Sequence, residues 1–171
     1  MKRKVQVWVV YRSGREVQVL ILKTRADRGG FWQPVTGSVE AGETSLAGAL
    51  REAREETGIG RLPRPQALRY SFRYHSRWGN EVTERGYWID LQGEGRIAPP
   101  VRIDPHEHVK SRWVSVSAAR HKIRFPSNRK LLDLVAQAIK RKPCFNTKKS
   151  PRKNSVSAPA STRSSTRRSV K

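Results

Sequence analysis

The segment from Gly37 to Ile59 constrains this chain more than any other. It reads GSVEAGETSLAGALREAREETGI. Thr44 is a residue type that caps helix N-termini, residues 45–57 contain few helix breakers, and Gly58 suits the position just beyond a helix C-terminus. The sequence therefore predicts a loop followed by a helix over residues 45–57.

The predicted helix brings three glutamates together. Glu52, Glu55 and Glu56 are related by i, i+3 and i+4 spacing, so their carboxylates crowd on one side. Glu52 and Glu55 are expected to point away from the apolar stripe, and Glu56 to lie at its border. Like charges at this spacing mildly destabilise a helix, whereas clustered carboxylates suit hard cations such as Mg²⁺ or Mn²⁺.

An ordinary solvated acidic face is the alternative reading of these glutamates. Three features favour a site instead. Gly37 and Gly42 frame the preceding loop, where the backbone can approach a metal or phosphate closely. Arg51 can hold a neighbouring carboxylate in place. The chain has a net charge of +22, so an acidic segment is a local exception.

The charge is concentrated at the C-terminus. From residue 140 onward the chain has eleven Lys or Arg residues and no Asp or Glu. We expect one domain over residues 1–140 and a disordered basic tail over 141–171. Such a tail would attract nucleic acid non-specifically, although a solubilising extension is an equally good reading. No 18-residue stretch lacks charges, so no membrane partner is expected, and the single Cys144 fits a reducing, cytoplasmic setting.

Alternating strand and helix signals predict an α+β fold with a mixed sheet flanked by two helices. Residues 4–12 and 16–23 are expected to form a hairpin, and residues 31–36 an edge-like strand because Pro34 lacks a backbone donor. The remaining predicted elements are paired strands over 67–74 and 82–91, a strand over 111–116, and an amphipathic helix over 127–139.

The spacing of the first segment resembles the signature of the Nudix hydrolases. Gly37 is followed after five residues by Glu43, and seven further residues precede the run from Arg51 to Gly58. Residues 31–40, FWQPVTGSVE, are similar to the bacterial dihydroneopterin triphosphate diphosphatases within that superfamily. Glu107-His108 before Trp113, and Ser127-Asn128-Arg129, also resemble that family. The resemblance implies a Nudix α/β/α sandwich.

The resemblance also implies a reaction and its residues. Mg²⁺, with Mn²⁺ as a possible substitute, would assist water in cleaving dihydroneopterin triphosphate to the monophosphate and pyrophosphate, a step of folate biosynthesis. Glu52 and Glu56 would bind metal, Glu55 would be a further ligand or base, and Gly37 would lend its carbonyl oxygen. Glu107 would complete the metal shell or act as the base. The candidates for catalysis are Arg51, Glu52, Glu55 and Glu107.

Substrate contacts are implied at four further positions, Lys2, Arg25, Thr36 and Ser127. The stretch 73–85 should face the ring of the substrate, with Phe72, Tyr74 and Trp78 as stacking candidates. His106 and His108 resemble a zinc pair, but no cysteine or further histidine accompanies them, so we reject that reading.

Other functions stay open from the sequence. A pyrophosphatase for common or oxidised deoxynucleoside triphosphates would use the same residues, as would an enzyme that removes pyrophosphate from the 5′ end of RNA. A non-catalytic nucleic-acid-binding protein on the same scaffold is a third possibility, but it would need none of the clustered acids. The sequence leaves the oligomeric state undetermined.

Overall fold

A computed structural model describes residues 2–76, 78–93 and 97–142. Seven strands, three α-helices and one 3₁₀ turn are present in these ranges. The predicted tail lies outside them from residue 143 onward, so its separation from the domain stays a prediction.

The strands are β1 (Lys2–Ser13), β2 (Glu16–Thr24), β3 (Trp32–Gln33), β4 (Val35–Ser38), β5 (Gln66–His75), β6 (Glu81–Gln92) and β7 (His108–Val114). The helices are α1 (Ser45–Thr57), α2 (Val116–Lys122) and α3 (Pro126–Arg141), and the 3₁₀ turn spans Ala26–Arg28.

The strands form one mixed sheet with β1 at its centre. β1 pairs in parallel with β6, and β6 pairs antiparallel with β5. On its other side the first half of β1 pairs with β4 and its second half with β2, both antiparallel. β2 in turn pairs with β3 and β7. The two predicted strand pairs, β1–β2 and β5–β6, are thereby confirmed.

Alternation along β1 divides the core into two layers. Val5, Val7 and Val9 face α1 and pack with Ala49 and Ala53. Residues of opposite parity, Trp8 and Val10, face the layer formed by α2 and α3. Because apolar side chains leave both faces of the strand, helices cover the sheet on both sides. The structure is the predicted α/β/α sandwich.

Two expected elements differ from those in the structure. The last strand ends at Val114, and Ser115 caps a short helix that the sequence did not predict; its side chain accepts a hydrogen bond from the Ala118 amide at 3.2 Å. The predicted strand over 31–36 is divided at Pro34 into β3 and β4, which pair with different neighbours. A proline lacks the amide that a continuous ladder would need there.

A buried ion pair joins β1 to β6. The Arg12 guanidinium donates two hydrogen bonds to Asp90, at 2.7 and 2.6 Å, and both side chains are almost completely buried. Burial alone would raise the pKa of Asp90, but the bonds from Arg12 outweigh it and lower the pKa. Arg12 also donates to the Lys142 carbonyl at 2.6 Å, which ties the end of α3 to the sheet.

None of the helices in the described part of the chain is both long and apolar enough to cross a membrane. The predicted cytoplasmic location stays a prediction.

Candidate active site

The helix that carries the clustered glutamates has the predicted limits. Thr44 precedes it, and its side chain accepts a hydrogen bond from the Ala47 amide at 3.1 Å. Gly58 follows it with a φ of 63°, the left-handed conformation that glycine adopts readily. Ala49 and Ala53 anchor one face in the core, so the register of the acidic side chains is fixed.

Glu52 packs its carboxylate against the backbone of β4. An ideal Cβ on Gly37 would lie 1.8 Å from the Glu52 carboxyl carbon, so only glycine fits there. Glu52 lies in a cleft rather than on an open helix face, with its side chain 14% exposed. Burial, aided by the negative charges of Glu55 and Glu107, raises the pKa of Glu52 against the opposing effect of Arg51.

Arg51 connects the helix to the loop before it. Its guanidinium donates to Glu52 at 3.0 Å and Glu55 at 2.9 Å, and to the Ser38 carbonyl at 2.8 Å. It also donates two bonds to Glu43, at 3.2 and 3.1 Å, and these lower the pKa of Glu43. The planar fork of an arginine can bind several acceptors in fixed directions at once, so this residue sets the positions of two candidate ligands.

Glu56 and His108 form a buried polar pair behind the cleft. The Glu56 carboxylate lies 3.8 Å from His108 Nε2, and both residues are almost inaccessible. Within the described residues, neither side chain makes a hydrogen bond of normal geometry. Burial, with the charges of Glu107 and Glu52, raises the pKa of Glu56 well above its ordinary value. Burial likewise lowers the pKa of His108.

Glu107 approaches the same cleft from a different element. It lies in the turn before β7 and lines the cavity together with Gly37 and Glu52. Arg28, which the sequence analysis missed, forms an ion pair with it at 3.2 Å. The fold therefore brings a residue outside the predicted segment to the carboxylate cluster.

The residues present fit a divalent cation. The buried Glu56 carboxylate lacks the partners that a buried carboxylate normally has, and Glu52 lies directly against the Gly37 backbone. Carboxylate and carbonyl oxygens are the ligands that Mg²⁺ prefers. No three His, Cys, Asp or Glu side chains in ranges 2–76, 78–93 and 97–142 are already gathered in coordinating positions. Arg51 contacts one oxygen of Glu52 and one of Glu55, which leaves the second oxygen of each carboxylate for a cation.

A cleft with two connected chambers leads away from the carboxylates. We call the chamber of about 780 Å³ beside Gly37, Glu52 and Glu107 the phosphate chamber, and the adjoining one of about 590 Å³ the ring chamber. The two share the lining residues Lys4, Phe31, Gln33, Thr36 and Tyr74. The ring chamber is further lined by Phe72, Arg73, Glu84, Phe125, Ser127 and Asn128.

The predicted substrate-contact residues are placed unequally. Lys2 and Thr36 line the phosphate chamber, and Ser127 lines the ring chamber. The Thr36 hydroxyl accepts a hydrogen bond from Gln33 at 3.2 Å. Arg25 lines neither chamber, and its guanidinium donates to Asp27 at 3.1 Å and the Pro105 carbonyl at 3.4 Å. Its role as a substrate contact stays a prediction with less geometric support.

The aromatic candidates for stacking do meet the cleft. Phe72 and Tyr74 stack with ring centroids 5.9 Å apart on one wall of the ring chamber. Phe31 and Phe125, which the sequence analysis did not select, make an edge-to-face pair at 5.0 Å on another part of the lining. Trp78 lines the phosphate chamber and is 70% exposed.

Sequence reasoning also did not select Lys4 or Glu84 as site residues, and it named Asn128 only as part of the run Ser127-Asn128-Arg129. A signal for Lys4 was present, because Lys4 and Gln6 are polar residues that alternate with Val5 and Val7 at the start of a predicted strand. For Glu84, the available signal was an acid on a predicted strand inside the expected ring-facing stretch 73–85. Polar side chains at inward-facing strand positions indicate a cavity rather than a closed core.

A sequence model of the NUDIX domain matches residues 2–135. The chain belongs to the Nudix family. Enzymes of the Nudix hydrolase family generally use divalent metals such as Mg²⁺.

The chain matches parts of two curated relatives. It is 35% identical over 126 residues to an octanoyltransferase of Myxococcus xanthus, covering 72% of this chain and 33% of that protein. It is 48% identical over 58 residues to the dihydroneopterin triphosphate diphosphatase of Escherichia coli K12, covering 34% of this chain and 38% of the relative. The matched regions therefore span little more than a third of either relative.

Solved structures share the fold over most of the chain. A C. elegans Ap4A hydrolase binary complex has a TM-score of 0.70 at 17% identity, covering 83% of this chain and all of that one. The E. coli dihydroneopterin triphosphate pyrophosphohydrolase has a TM-score of 0.62 at 25% identity, covering 77% of this chain and 92% of the other. The first likeness shows the fold alone, while the second agrees with the local sequence match.

Proposed function

We propose that this Nudix hydrolase cleaves dihydroneopterin triphosphate to dihydroneopterin monophosphate and pyrophosphate in a Mg²⁺-dependent reaction. The observation that supports this substrate is the two-chambered cleft, in which carboxylates line one end and aromatic side chains the other. The local similarity to the E. coli diphosphatase supports it independently. Under this proposal the enzyme serves folate biosynthesis in the cytoplasm.

The carboxylate end would hold the metal. Glu52, Glu56 and the Gly37 carbonyl are the proposed ligands, with Glu55 and Glu107 available to complete the shell. Bound Mg²⁺ would neutralise negative charge on the phosphate oxygens as the anhydride bond breaks. Mn²⁺ would serve as a substitute because it accepts the same oxygen ligands.

The protein's own groups would position the reactants and take up the proton. Arg51 fixes Glu52 and Glu55 relative to the loop. Either Glu55, whose side chain is 58% exposed, or Glu107, 37% exposed, is accessible enough to accept a proton from the attacking water. The water oxygen would bond to the α-phosphorus, and the bond to the α,β-bridging oxygen would break so that pyrophosphate departs.

Cationic side chains would bind the polyphosphate. Lys2, Lys4 and Arg28 all line the phosphate chamber. Lys4 also lines the ring chamber, which places it at the junction between the two parts of a substrate. Positive charge there would attract a triphosphate and offset the charge of the leaving pyrophosphate.

The experiment measures pyrophosphate release by the full chain with Mg²⁺ on a matched panel. The panel comprises dihydroneopterin triphosphate, the common and oxidised deoxynucleoside triphosphates, and a short 5′-triphosphate RNA. We expect the highest kcat/KM for the pterin. A higher kcat/KM for a deoxynucleoside triphosphate would replace dihydroneopterin triphosphate as the assigned substrate. A preference for RNA would make the basic tail part of the function.

A further inference from the structure

Glu84 is a buried acid in the ring chamber to which the proposed mechanism gives no role. It lies on β6, is only 5% exposed, and lines the chamber beside Asn128. The Tyr74 hydroxyl donates a hydrogen bond to one Glu84 carboxylate oxygen at 3.1 Å. An acid in such a position costs stability, because burial disfavours its charged form. Burial indeed raises the pKa of Glu84, with the positive charge of Lys4 opposing the effect.

Gln6 orients the polar groups around Glu84. Its amide oxygen accepts the Trp8 indole N–H at 2.9 Å, which fixes the direction of its NH₂ group. That NH₂ group donates to Glu84 at 3.1 Å and to the Asn128 side-chain oxygen at 3.0 Å. The Asn128 oxygen therefore faces Gln6, and the Asn128 NH₂ group is the end with hydrogen-bonding capacity for a ligand.

The two side chains then offer different chemistry to a bound ring. A carboxylate has about four lone-pair positions, and Tyr74 and Gln6 use one each, so Glu84 can accept further N–H donors. Asn128 can donate to a carbonyl oxygen. An acceptor beside a donor complements a ring edge that carries adjacent N–H and C=O groups.

We infer that Glu84 and Asn128 select substrates by the lactam–amidine edge of their ring. Glu84 accepts the ring N–H and the neighbouring exocyclic NH₂ group, and Asn128 donates to the ring carbonyl oxygen. Pterin and guanine share this edge. Adenine and cytosine lack the ring N–H, and uracil and thymine lack the exocyclic NH₂ group, so each would leave a buried partner unsatisfied. The inference rests on the proposed function and names the residues that set its specificity.

Glu84→Gln in the full-length protein tests this assignment. The variant keeps the size of the side chain and an acceptor for Tyr74, but it places an NH₂ group where the substrate donors would bind. We expect kcat/KM for dihydroneopterin triphosphate and dGTP to fall by about 100-fold or more, because sites built to hydrogen-bond a substrate N–H discriminate strongly. The kcat/KM of this variant for dATP should stay the same or rise, because a side-chain amide can hydrogen-bond to the edge of adenine.

The matched control is Glu16→Gln, on β2. Glu16 is exposed and lies outside both chamber linings. We expect it to leave the pterin-to-dATP preference unchanged. Asn128→Ala is a second variant, and it should reduce activity on pterin and guanine substrates about tenfold while sparing dATP.

The outcomes separate the inference from the proposed function. In the wild-type protein, the kcat/KM values for dihydroneopterin triphosphate and dGTP show whether the pterin or the guanine ring is preferred. The inference would be overturned if Glu84→Gln lowered kcat/KM equally for dihydroneopterin triphosphate, dGTP and dATP. It would also be overturned if neither Glu84→Gln nor Asn128→Ala changed the preference among these substrates. Preference of the wild-type protein for RNA would instead overturn the proposed substrate, whatever Glu84 does.

Discussion

The Glu52 carboxyl carbon lies where residue 37 has no room for a side chain, 1.8 Å from the position of an ideal Cβ on Gly37. This contact puts the Glu52 carboxylate directly against the backbone of residue 37. Gly37→Ala should therefore displace Glu52 and lower kcat by about 100-fold or more, as small misplacements of catalytic groups do. Gly60→Ala is the control, because a Cβ there meets nothing within 4 Å. Pyrophosphate-release kinetics of the two variants would show the difference, and equal activities would contradict the site.

Glu56→Gln separates metal binding from folding. The buried carboxylate has a raised pKa, so its replacement by a neutral amide should leave stability equal or higher at neutral pH while turnover falls by orders of magnitude. Near-normal activity would remove Glu56 from the site.

The same raised pKa predicts a pH dependence of metal affinity. A proton competes with the metal for Glu56, so Mg²⁺ affinity should rise with pH as the carboxylate loses its proton, over a range above that of an ordinary glutamate. Calorimetric Mg²⁺ titrations across this range would measure the trend. The trend should be weaker in Glu56→Gln, and a trend of equal size in that variant would assign it to another group.

Arg51→Lys tests the arginine as a positioning residue. Lysine keeps the charge but cannot bind Glu43, Glu52 and the Ser38 carbonyl from one planar group. We expect kcat to fall about tenfold to 100-fold with little change in KM. Arg54→Lys, on the same helix and exposed, should keep wild-type kcat. A loss shared by both variants would indicate a general effect of helix charge.

Asp90→Asn should lower the free energy of unfolding by about 3 kcal/mol at neutral pH, because it removes the carboxylate that neutralises the buried Arg12 charge. The pKa of Asp90 is lowered from 3.8 in the folded state, so this stabilisation is present above that value and is lost as the pH falls through the lower, folded-state pKa. Urea denaturation of both proteins at neutral and acidic pH measures it.

The control for Asp90→Asn is Asp133→Asn. Asp133 also pairs with an arginine, Arg120, but both side chains are at least 41% exposed. Exposed pairs contribute about 1 kcal/mol or less. A comparable loss in both variants would mean that burial does not strengthen the Arg12–Asp90 pair.

Lys4→Ala and Arg25→Ala compare two candidate phosphate contacts. Lys4 lies where the two chambers meet, whereas Arg25 is engaged with Asp27 and the Pro105 carbonyl. Loss of Lys4 should raise KM for the triphosphate about tenfold, with a smaller effect at Arg25. Initial-rate kinetics on the preferred substrate would decide, and the reverse order would restore Arg25 as the main contact.

Local signals predicted the parts of this structure that local physics determines. The caps at Thr44 and Gly58 and the alternation along β1 and β2 gave correct elements, because hydrogen bonds and burial act there over a few residues. Helix α2 was missed because its seven residues contain only one buried side chain, Ala119, and so lack a clear apolar period.

The parts of the candidate site that the sequence predicted are likewise the ones that depend on local spacing. Glu52, Glu55 and Glu56 follow from helical spacing, and Arg51 from its place beside them. Arg28, Lys4 and Glu84 come from three other elements, and their approach to the cleft depends on strand pairing that no short segment encodes. Helical spacing identified the acids of α1, whereas the ring-facing stretch 73–85 came only from the resemblance, because the ring chamber exists only after β1, β5, β6 and α3 have come together.

The parallel pairing of β1 with β6 has a consequence for biosynthesis. Lys2 pairs with Val82 and Arg12 with Gln92, so during synthesis β1 receives this neighbour only after about 80 further residues have been added. Contacts so distant in sequence close slowly. Until then one edge of β1 offers unpaired backbone groups to other chains. Nascent or truncated forms ending before residue 81 should accordingly depend on chaperones to avoid aggregation.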